Sequence, residues 1–258
     1  MIIRKIMNTL GFGLIPLFCL GLFTGCQTTA GNETMLRQAT AARNLGEAYL
    51  LQKNYTMALH EFLKAEKLNP KDRLLQNDLG LTYMGKNRLD LAVTHFKRAL
   101  ALRPDYAPAR NNLGTAYMAQ KDWDAAIKTF KQVTDDLLYA TPHYPLSNLG
   151  KAYYYKKDFA SAEMYYKKAL ELAPGFVNAL YGLGRTYLAM GQVRGAVDLF
   201  ERTVAAAPRL AEAHLELAHA YRLSGEIKNA RDSFSRVLKL APNTSPAREA
   251  KAALEKLR

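Results

Sequence analysis

Residues 44–70, NLGEAYLLQKNYTMALHEFLKAEKLNP, align without a gap with residues 78–104, DLGLTYMGKNRLDLAVTHFKRALALRP, at a spacing of 34 residues. The same frame restarts four more times, at Asn112, Asn148, Gly182 and Glu216. Every copy has leucine, tyrosine and alanine at the same three positions, followed by an aromatic residue, and a closing proline ends all copies except the third. A fixed period of this length predicts a chain of stacked, structurally equivalent units.

The repeated pattern resembles the tetratricopeptide repeat (TPR), which reads Leu-Gly-x-x-Tyr, then Ala-x-x-x-Phe, then Pro. This resemblance implies an all-α fold, in which each repeat forms two antiparallel helices, A and B, and six repeats stack into a right-handed superhelix, or α-solenoid. The six predicted repeats are 39–72, 73–106, 107–142, 143–176, 177–210 and 211–244. Residues 245–258 are predicted to form a C-terminal capping helix, because Ala250, Leu254 and Leu257 share one apolar face.

The first 25 residues have the form of a secretory signal peptide. Arg4 and Lys5 precede an uncharged apolar stretch, residues 10–23, which is shorter than the roughly 20 residues that a membrane-spanning helix needs. The charge pattern and the short apolar stretch therefore predict that residues 1–25 direct export and are then removed.

The end of this signal, Thr-Gly-Cys at residues 24–26, resembles that of a bacterial lipoprotein, although Phe23 stands where leucine is usual. The resemblance implies acylation of Cys26 and, because Gln27 follows, transfer to the outer membrane of a Gram-negative cell, facing the periplasm. An ordinary cleaved signal with an incidental thiol is the alternative. Residues 26–38 are polar without an apolar period, so we expect the acylated cysteine to be followed by a flexible tether.

No catalytic set is evident in the sequence. Glu216 and His219 have the Glu-x-x-His spacing of di-metal bundles, but the further carboxylates that such sites need do not recur at matching positions. Cys19 and Cys26 both precede the repeats, so they form neither a disulfide framework nor a zinc site. We expect no enzyme activity, metal, cofactor or small-molecule substrate, and no nucleic acid for an exported protein.

Function is therefore predicted to lie on protein-binding surfaces, above all on the inner groove that the A helices form in this fold. Asparagine can donate to and accept from an extended peptide, and methionine and tyrosine adapt to apolar side chains. The asparagine before Leu-Gly also belongs to the repeat pattern, so packing alone can explain it. The predicted groove residues are Asn44, Asn77, Leu81, Met84, Asn111, Asn112, Met118, Asn148, Tyr154, Tyr181 and Arg185.

The period slips once, to 36 residues, between the copies that start at Asn112 and Asn148. Residues 134–145, TDDLLYATPHYP, replace the usual proline stop there. Two extra residues displace the next helix pair or make the join bulge, which predicts an extended third-repeat surface formed by Asp136, Leu138 and Tyr139. A neutral insertion is the alternative, because loops tolerate changes of length at little cost.

The signal, the cysteine, the six repeats and the long third join together resemble the type IV pilus biogenesis/stability family, the pilotins of the PilW, PilF and Tgl type. The matching run is Asp136, Leu138 and Tyr139, followed by the Asn-Leu-Gly at residues 148–150. The resemblance implies a protein that helps secretin subunits reach the outer membrane and assemble into the ring through which the pilus passes. A general outer-membrane adaptor that recruits cell-wall enzymes or other envelope complexes is the alternative.

The chain is strongly basic, with a formal net charge of +13. This charge favours anionic surroundings without choosing between acidic proteins and lipid headgroups. A basic stripe recurs in register on the outer faces of the predicted B helices, at Lys64, Arg98, Lys168, Arg202 and Arg236. Such a stripe could contact anionic lipid, but it is more often a solvated face.

Overall fold

The computed structural model describes residues 23–134 and 141–257, and every element in these ranges is an α-helix. Six pairs of helices follow one another along the chain, and a single helix ends it. The helices are α1 Phe23–Leu51, α2 Tyr55–Leu68, α3 Arg73–Gly85, α4 Leu89–Leu102, α5 Ala107–Ala119, α6 Trp123–Thr134, α7 His143–Tyr155, α8 Phe159–Leu172, α9 Val177–Ala189, α10 Val193–Ala206, α11 Ala211–Ser224, α12 Ile227–Leu240 and α13 Ser245–Lys256. The odd-numbered helices up to α11 are the A helices, and the even-numbered ones are the B helices, so the all-α fold is confirmed.

One aromatic ring fills the centre of each repeat, and its neighbours are small. The rings of Phe62, Phe96, Phe130, Phe200 and Phe234 are fully buried, as is the alanine four residues before each of them. In the second repeat, a Cβ added at Gly80 would lie 2.4 Å from the Phe96 ring, so only glycine lets helix A approach helix B this closely. The repeated small residues of the sequence are thus the contact points between helices.

Each turn between an A helix and its B helix contains one residue with positive φ, at equivalent positions in all six repeats. The last two repeats place Gly191 (φ 74°) and Gly225 (φ 87°) there. The first four place non-glycine residues in the same left-handed region, with φ between 57° and 64°: Lys53, Asn87, Lys121 and Lys157. These four turns accept a backbone conformation that costs a side-chain-bearing residue free energy.

The first helix corrects the prediction of a flexible tether. α1 is 29 residues long and runs from Phe23 through the whole of residues 27–38, so Cys26 lies close to its start. Residues 31–38 are all exposed, which explains why they have no apolar period. The good helix formers among them, residues 35–38, together with an ion pair of 2.6 Å between Glu33 and Arg37 one turn later, allow the helix to extend from its packed part.

The C-terminal helix covers the last repeat. Ala250 is fully buried, and Leu254 and Leu257 pack against the cluster around Phe234. The Thr244 hydroxyl accepts a hydrogen bond from the Ala247 amide at 3.4 Å and caps the start of α13. Because stacked repeats leave an apolar end exposed, this helix shields the core from water.

The long third join is only partly described. The described part of α6 runs to Thr134 and α7 begins at His143, so the segment that contains the lengthened period is described only at its two sides. The predicted surface of Asp136, Leu138 and Tyr139 lies outside the described residues, as do residues 1–22 of the predicted signal. Within residues 23–134 and 141–257, no helix combines the length and the apolar character needed to cross a bilayer.

Candidate protein-binding groove

The asparagines predicted to line the groove form pairs between neighbouring A helices. Asn112 Nδ2 donates to Asn77 Oδ1 at 2.9 Å, and Asn148 Nδ2 donates to Asn111 Oδ1 at 3.3 Å. Each pair thus connects two consecutive repeats, and each amide retains hydrogen-bonding capacity beyond the pair. Asn77 is buried, with 6% of its surface exposed, so its part is to join repeats two and three. Asn44 is exposed on α1, at the other end of the inner face.

Three apolar residues predicted for the groove belong partly to the core. Leu81 and Met84 are half-buried against the cluster around Phe96, and Met118 is half-buried against the cluster around Phe130. These side chains therefore offer only part of their surface to a ligand.

Repeats four and five bring together the three remaining predicted residues, Tyr154, Tyr181 and Arg185. The Arg185 guanidinium lies over the Tyr154 ring at 4.8 Å and over the Tyr181 ring at 5.9 Å from the centroid. Arg185 Nη2 also donates to the Tyr154 hydroxyl at 3.2 Å, and its Nε lies 3.6 Å from Glu216 Oε1. Burial, and then the negative charge of Glu216, raise the pKa of Tyr181 to about 12, so its hydroxyl keeps its proton.

This cluster forms one wall of a pocket of about 360 Å³ on the inner face, between α7, α9 and α11. We call it the tyrosine pocket; the side chains that define it here are Asn148, Lys151, Tyr154, Tyr181, Arg185 and Glu212. The sequence reasoning missed Lys151 and Glu212. Lys151 lies three residues after Asn148 and three before Tyr154, so the helical spacing between these two predicted groove residues would have identified it. A pocket of this size accommodates a few side chains or a short peptide segment.

The inner face of repeats one and two differs from the tyrosine pocket, because its charged side chains pair with one another. Arg43 Nε lies 3.2 Å from Glu47 Oε1, and Arg43 Nη1 donates to Asp72 Oδ2 at 3.1 Å. Asp78 lies beside this cluster, where burial, and then the charge of Glu47, raise its pKa from 3.8 to about 7.

The last A helix does not assemble a metal site. His219 Nε2 lies 2.9 Å from Glu249 Oε1 on α13, whereas Glu216 faces Arg185. Across the part of the chain that the structure describes, no group of three or more His, Cys, Asp or Glu side chains has metal-binding geometry. Glu216 therefore connects α11 to α9, and His219 connects α11 to α13.

Comparison with family models gives the same fold. One model described as tetratricopeptide repeat matches three segments, residues 83–137, 153–209 and 188–254. A second model with the same description matches residues 39–72. The matches of the first model alone cover more than half of the chain. The chain belongs to the tetratricopeptide repeat family. No curated protein matches the TPR chain significantly over its sequence.

Solved structures are similar to this TPR chain over most of its length. The crystal structure of PilW, described as a widely conserved type IV pilus biogenesis factor, has a TM-score of 0.76 at 23% identity, covering 83% of this chain and 98% of PilW. PilF of Pseudomonas aeruginosa has a TM-score of 0.72 at 20% identity, covering 86% of this chain and 99% of PilF. YrrB, described as a TPR protein with an unusual peptide-binding site, has a TM-score of 0.54 at 20% identity, covering 74% of this chain and 97% of YrrB. These likenesses establish the superhelical fold.

Proposed function

We propose that this TPR chain is a non-enzymatic scaffold of type IV pilus biogenesis that acts as a pilotin. In this role it supports the outer-membrane localisation and the multimerisation of the pilus secretin by binding the secretin subunit. The observation that carries the proposal is the match to PilW and PilF over 98% and 99% of their own lengths, which leaves almost no part of either protein without a counterpart here. The signal-like N-terminus and the long third join support it.

Helix α1 sets the distance between the proposed lipid anchor at Cys26 and the first repeat. Ala39, the first buried residue of the repeats, lies thirteen positions after Cys26 along α1, and a helix rises about 1.5 Å per residue. The first repeat therefore lies about 20 Å from the acylated residue while α1 stays intact. A helix holds that separation nearly constant, whereas a flexible tether would let it vary.

The inner face supplies a surface for a protein partner. The tyrosine pocket offers aromatic walls, amides and two separate charges in one concave site, which is the chemistry of peptide recognition. The fold is also that of a protein-interaction scaffold, and YrrB is an example whose peptide-binding site is known. Binding of a secretin segment on the inner face is therefore the proposed molecular step.

Affinity capture tests the proposal. The tagged full-length protein is isolated from detergent-solubilised membranes, and we expect secretin subunits to be captured with it. Deletion of its gene should reduce the heat-stable secretin multimer in the outer membrane, and the wild-type gene should restore it. Capture of cell-wall hydrolases without secretin, together with a normal multimer in the deletion strain, would replace the pilotin role by that of a general adaptor.

The anchor has its own test. Cys26→Ser should abolish incorporation of radiolabelled palmitate, because no other cysteine remains once the signal is removed. The variant should also leave the outer-membrane fraction, since stable anchoring requires more than one acyl chain. Label remaining on the variant would contradict the lipoprotein hypothesis, whatever its secretin binding.

A further inference from the structure

Lys151 and Glu212 place opposite charges at the two ends of the tyrosine pocket. Lys151 on α7 and Glu212 on α11 are both exposed and line the pocket. Neither makes an ion pair with any residue in the ranges 23–134 and 141–257. Arg185, between them, is balanced by Glu216 at 3.6 Å. Among the residues that the structure describes, the pocket thus has an unpaired positive charge at one end and an unpaired negative charge at the other.

The middle of the pocket is aromatic and already ordered. Arg185 lies against the rings of Tyr154 and Tyr181 and bonds to the Tyr154 hydroxyl, so both rings are held before any ligand arrives. Preformed walls of this kind reduce the entropy lost on binding. Asn148 donates to Asn111, which leaves its side-chain carbonyl able to accept from a backbone amide.

We propose that the tyrosine pocket binds an extended peptide segment of mixed charge, with an acidic residue at Lys151, apolar or aromatic residues against Tyr154 and Tyr181, and a basic residue at Glu212. This inference rests on the protein-binding role proposed above, and it specifies the chemistry of the bound segment. The opposite charges at the two ends favour a peptide that carries both signs over one that carries either sign alone.

The helix spacing sets the distance between the two charges of the ligand. α7, α9 and α11 are consecutive A helices, and packed helices lie 8–10 Å apart, so the backbones that carry Lys151 and Glu212 are about 16–20 Å apart. The two side chains shorten the gap that the ligand must bridge. An extended peptide rises about 3.3 Å per residue, so its acidic and basic residues should be about five positions apart.

Three fluorescein-labelled peptides test the proposal by fluorescence anisotropy with the full-length protein in detergent micelles. Each contains a central Leu-Phe pair and two charged residues five positions apart. One peptide has Glu and Lys at these positions, the second has two Glu, and the third has two Lys. The wild-type protein should bind the Glu/Lys peptide about fivefold more tightly than either of the others. The comparison is independent of the direction in which the peptide lies, because only the pair of charges differs.

Charge reversal at each end makes the test specific to this pocket. Lys151→Glu should shift the preference to the Lys/Lys peptide, whereas Glu212→Lys should shift it to the Glu/Glu peptide. Both side chains are exposed, so the helical circular dichroism of these variants should match that of the wild type. Lys128→Glu, an exposed lysine on the B helix α6, is the matched control and should leave the preference for the Glu/Lys peptide in place. Equal binding of the three peptides, no binding of any, or preferences unchanged by both reversals would overturn the proposal.

Secretin capture distinguishes this inference from the proposed function. If secretin is captured equally well by the wild type and by the Lys151→Glu, Glu212→Lys double variant, the pocket inference is wrong although the pilotin role stands. If no secretin is captured by the wild type while the peptides behave as expected, the pocket specificity stands and its natural ligand is another protein.

Discussion

Asp78→Asn should make this protein more stable at neutral and alkaline pH, while leaving its stability in acid unchanged. Burial and the neighbouring Glu47 raise the pKa of the Asp78 carboxyl from 3.8 to about 7. Because the folded pKa lies above the unfolded one, the folded state binds the proton more tightly, and stability is lost as pH rises from about 4 to about 7. Asparagine has nearly the same shape and stays neutral throughout this range.

The magnitude follows from the size of the shift. About three pKa units correspond to about 4 kcal/mol at 1.36 kcal/mol per unit, which is an upper limit. Water reaches part of the carboxyl, and Arg43 lies close to it, so we expect the variant to gain about 2 kcal/mol at pH 8. The gain should fall to half near the middle of the interval and disappear at pH 4.

Urea denaturation followed by far-ultraviolet circular dichroism at pH 4, 5.5, 7 and 8 measures this difference. The control is Asp232→Asn, which removes one negative charge from an exposed site on α12. A gain in stability that is the same at every pH, or a loss at pH 8, would refute the reasoning, because either result would mean that the Asp78 carboxyl is not held in its neutral form by burial.

Three other changes test the core, the turns and the third join. Ala126→Leu should cost about 1–3 kcal/mol in urea denaturation, because Ala126 is fully buried where α5 and α6 cross; an unchanged midpoint would contradict this packing. Lys121→Gly should stabilise the protein by about 0.5–1 kcal/mol, because φ is 62° at this residue and the equivalent position of the fifth repeat is Gly191. A lower melting temperature would mean that the positive φ of Lys121 costs the folded state no free energy. Tyr139→Ala should leave melting nearly unchanged but reduce the heat-stable secretin multimer; a destabilised variant, or a normal multimer, would defeat the extended third-repeat surface.

The fold was predictable because the residues that determine it recur. Phe62 and Phe96 occupy equivalent positions 34 residues apart, and each is fully buried against the glycine of its own A helix. A one-dimensional pattern is sufficient here, since each repeat packs mainly on its neighbours in sequence. The helical residues 27–38 were missed for the complementary reason. Residues 31–38 are all exposed and have no apolar period, and their helix depends on continuity with the packed part of α1.

The candidate site was predictable only in part, because the repeat pattern does not reveal which side chains are already engaged. Asn77 and Asn112 were both predicted to face a ligand, yet they bond to each other and Asn77 is buried. Tyr154, Tyr181 and Arg185 were predicted as separate groove residues, and the structure joins them in one stacked cluster. Contacts between repeats depend on the superhelical stacking, which spacing within one repeat does not specify.

A single register position shows how identical repeats acquire different surfaces. One position follows the small residue that packs on the central ring, which is glycine in five copies and Ala218 in the sixth, and this position lines the groove at Lys151 and Arg185. In chain order it is Glu47, Leu81, Thr115, Lys151, Arg185 and His219. All six copies differ there, whereas the central ring is phenylalanine in five copies and tyrosine in the fourth. The core therefore constrains the ring, and the groove position is free to change its charge from acidic in repeat one to basic in repeats four and five. If this is so, Lys151→Thr, which copies the third repeat, should change stability by less than about 0.5 kcal/mol while weakening binding of the Glu/Lys peptide. Loss of stability without loss of binding would mean that Lys151 serves the fold.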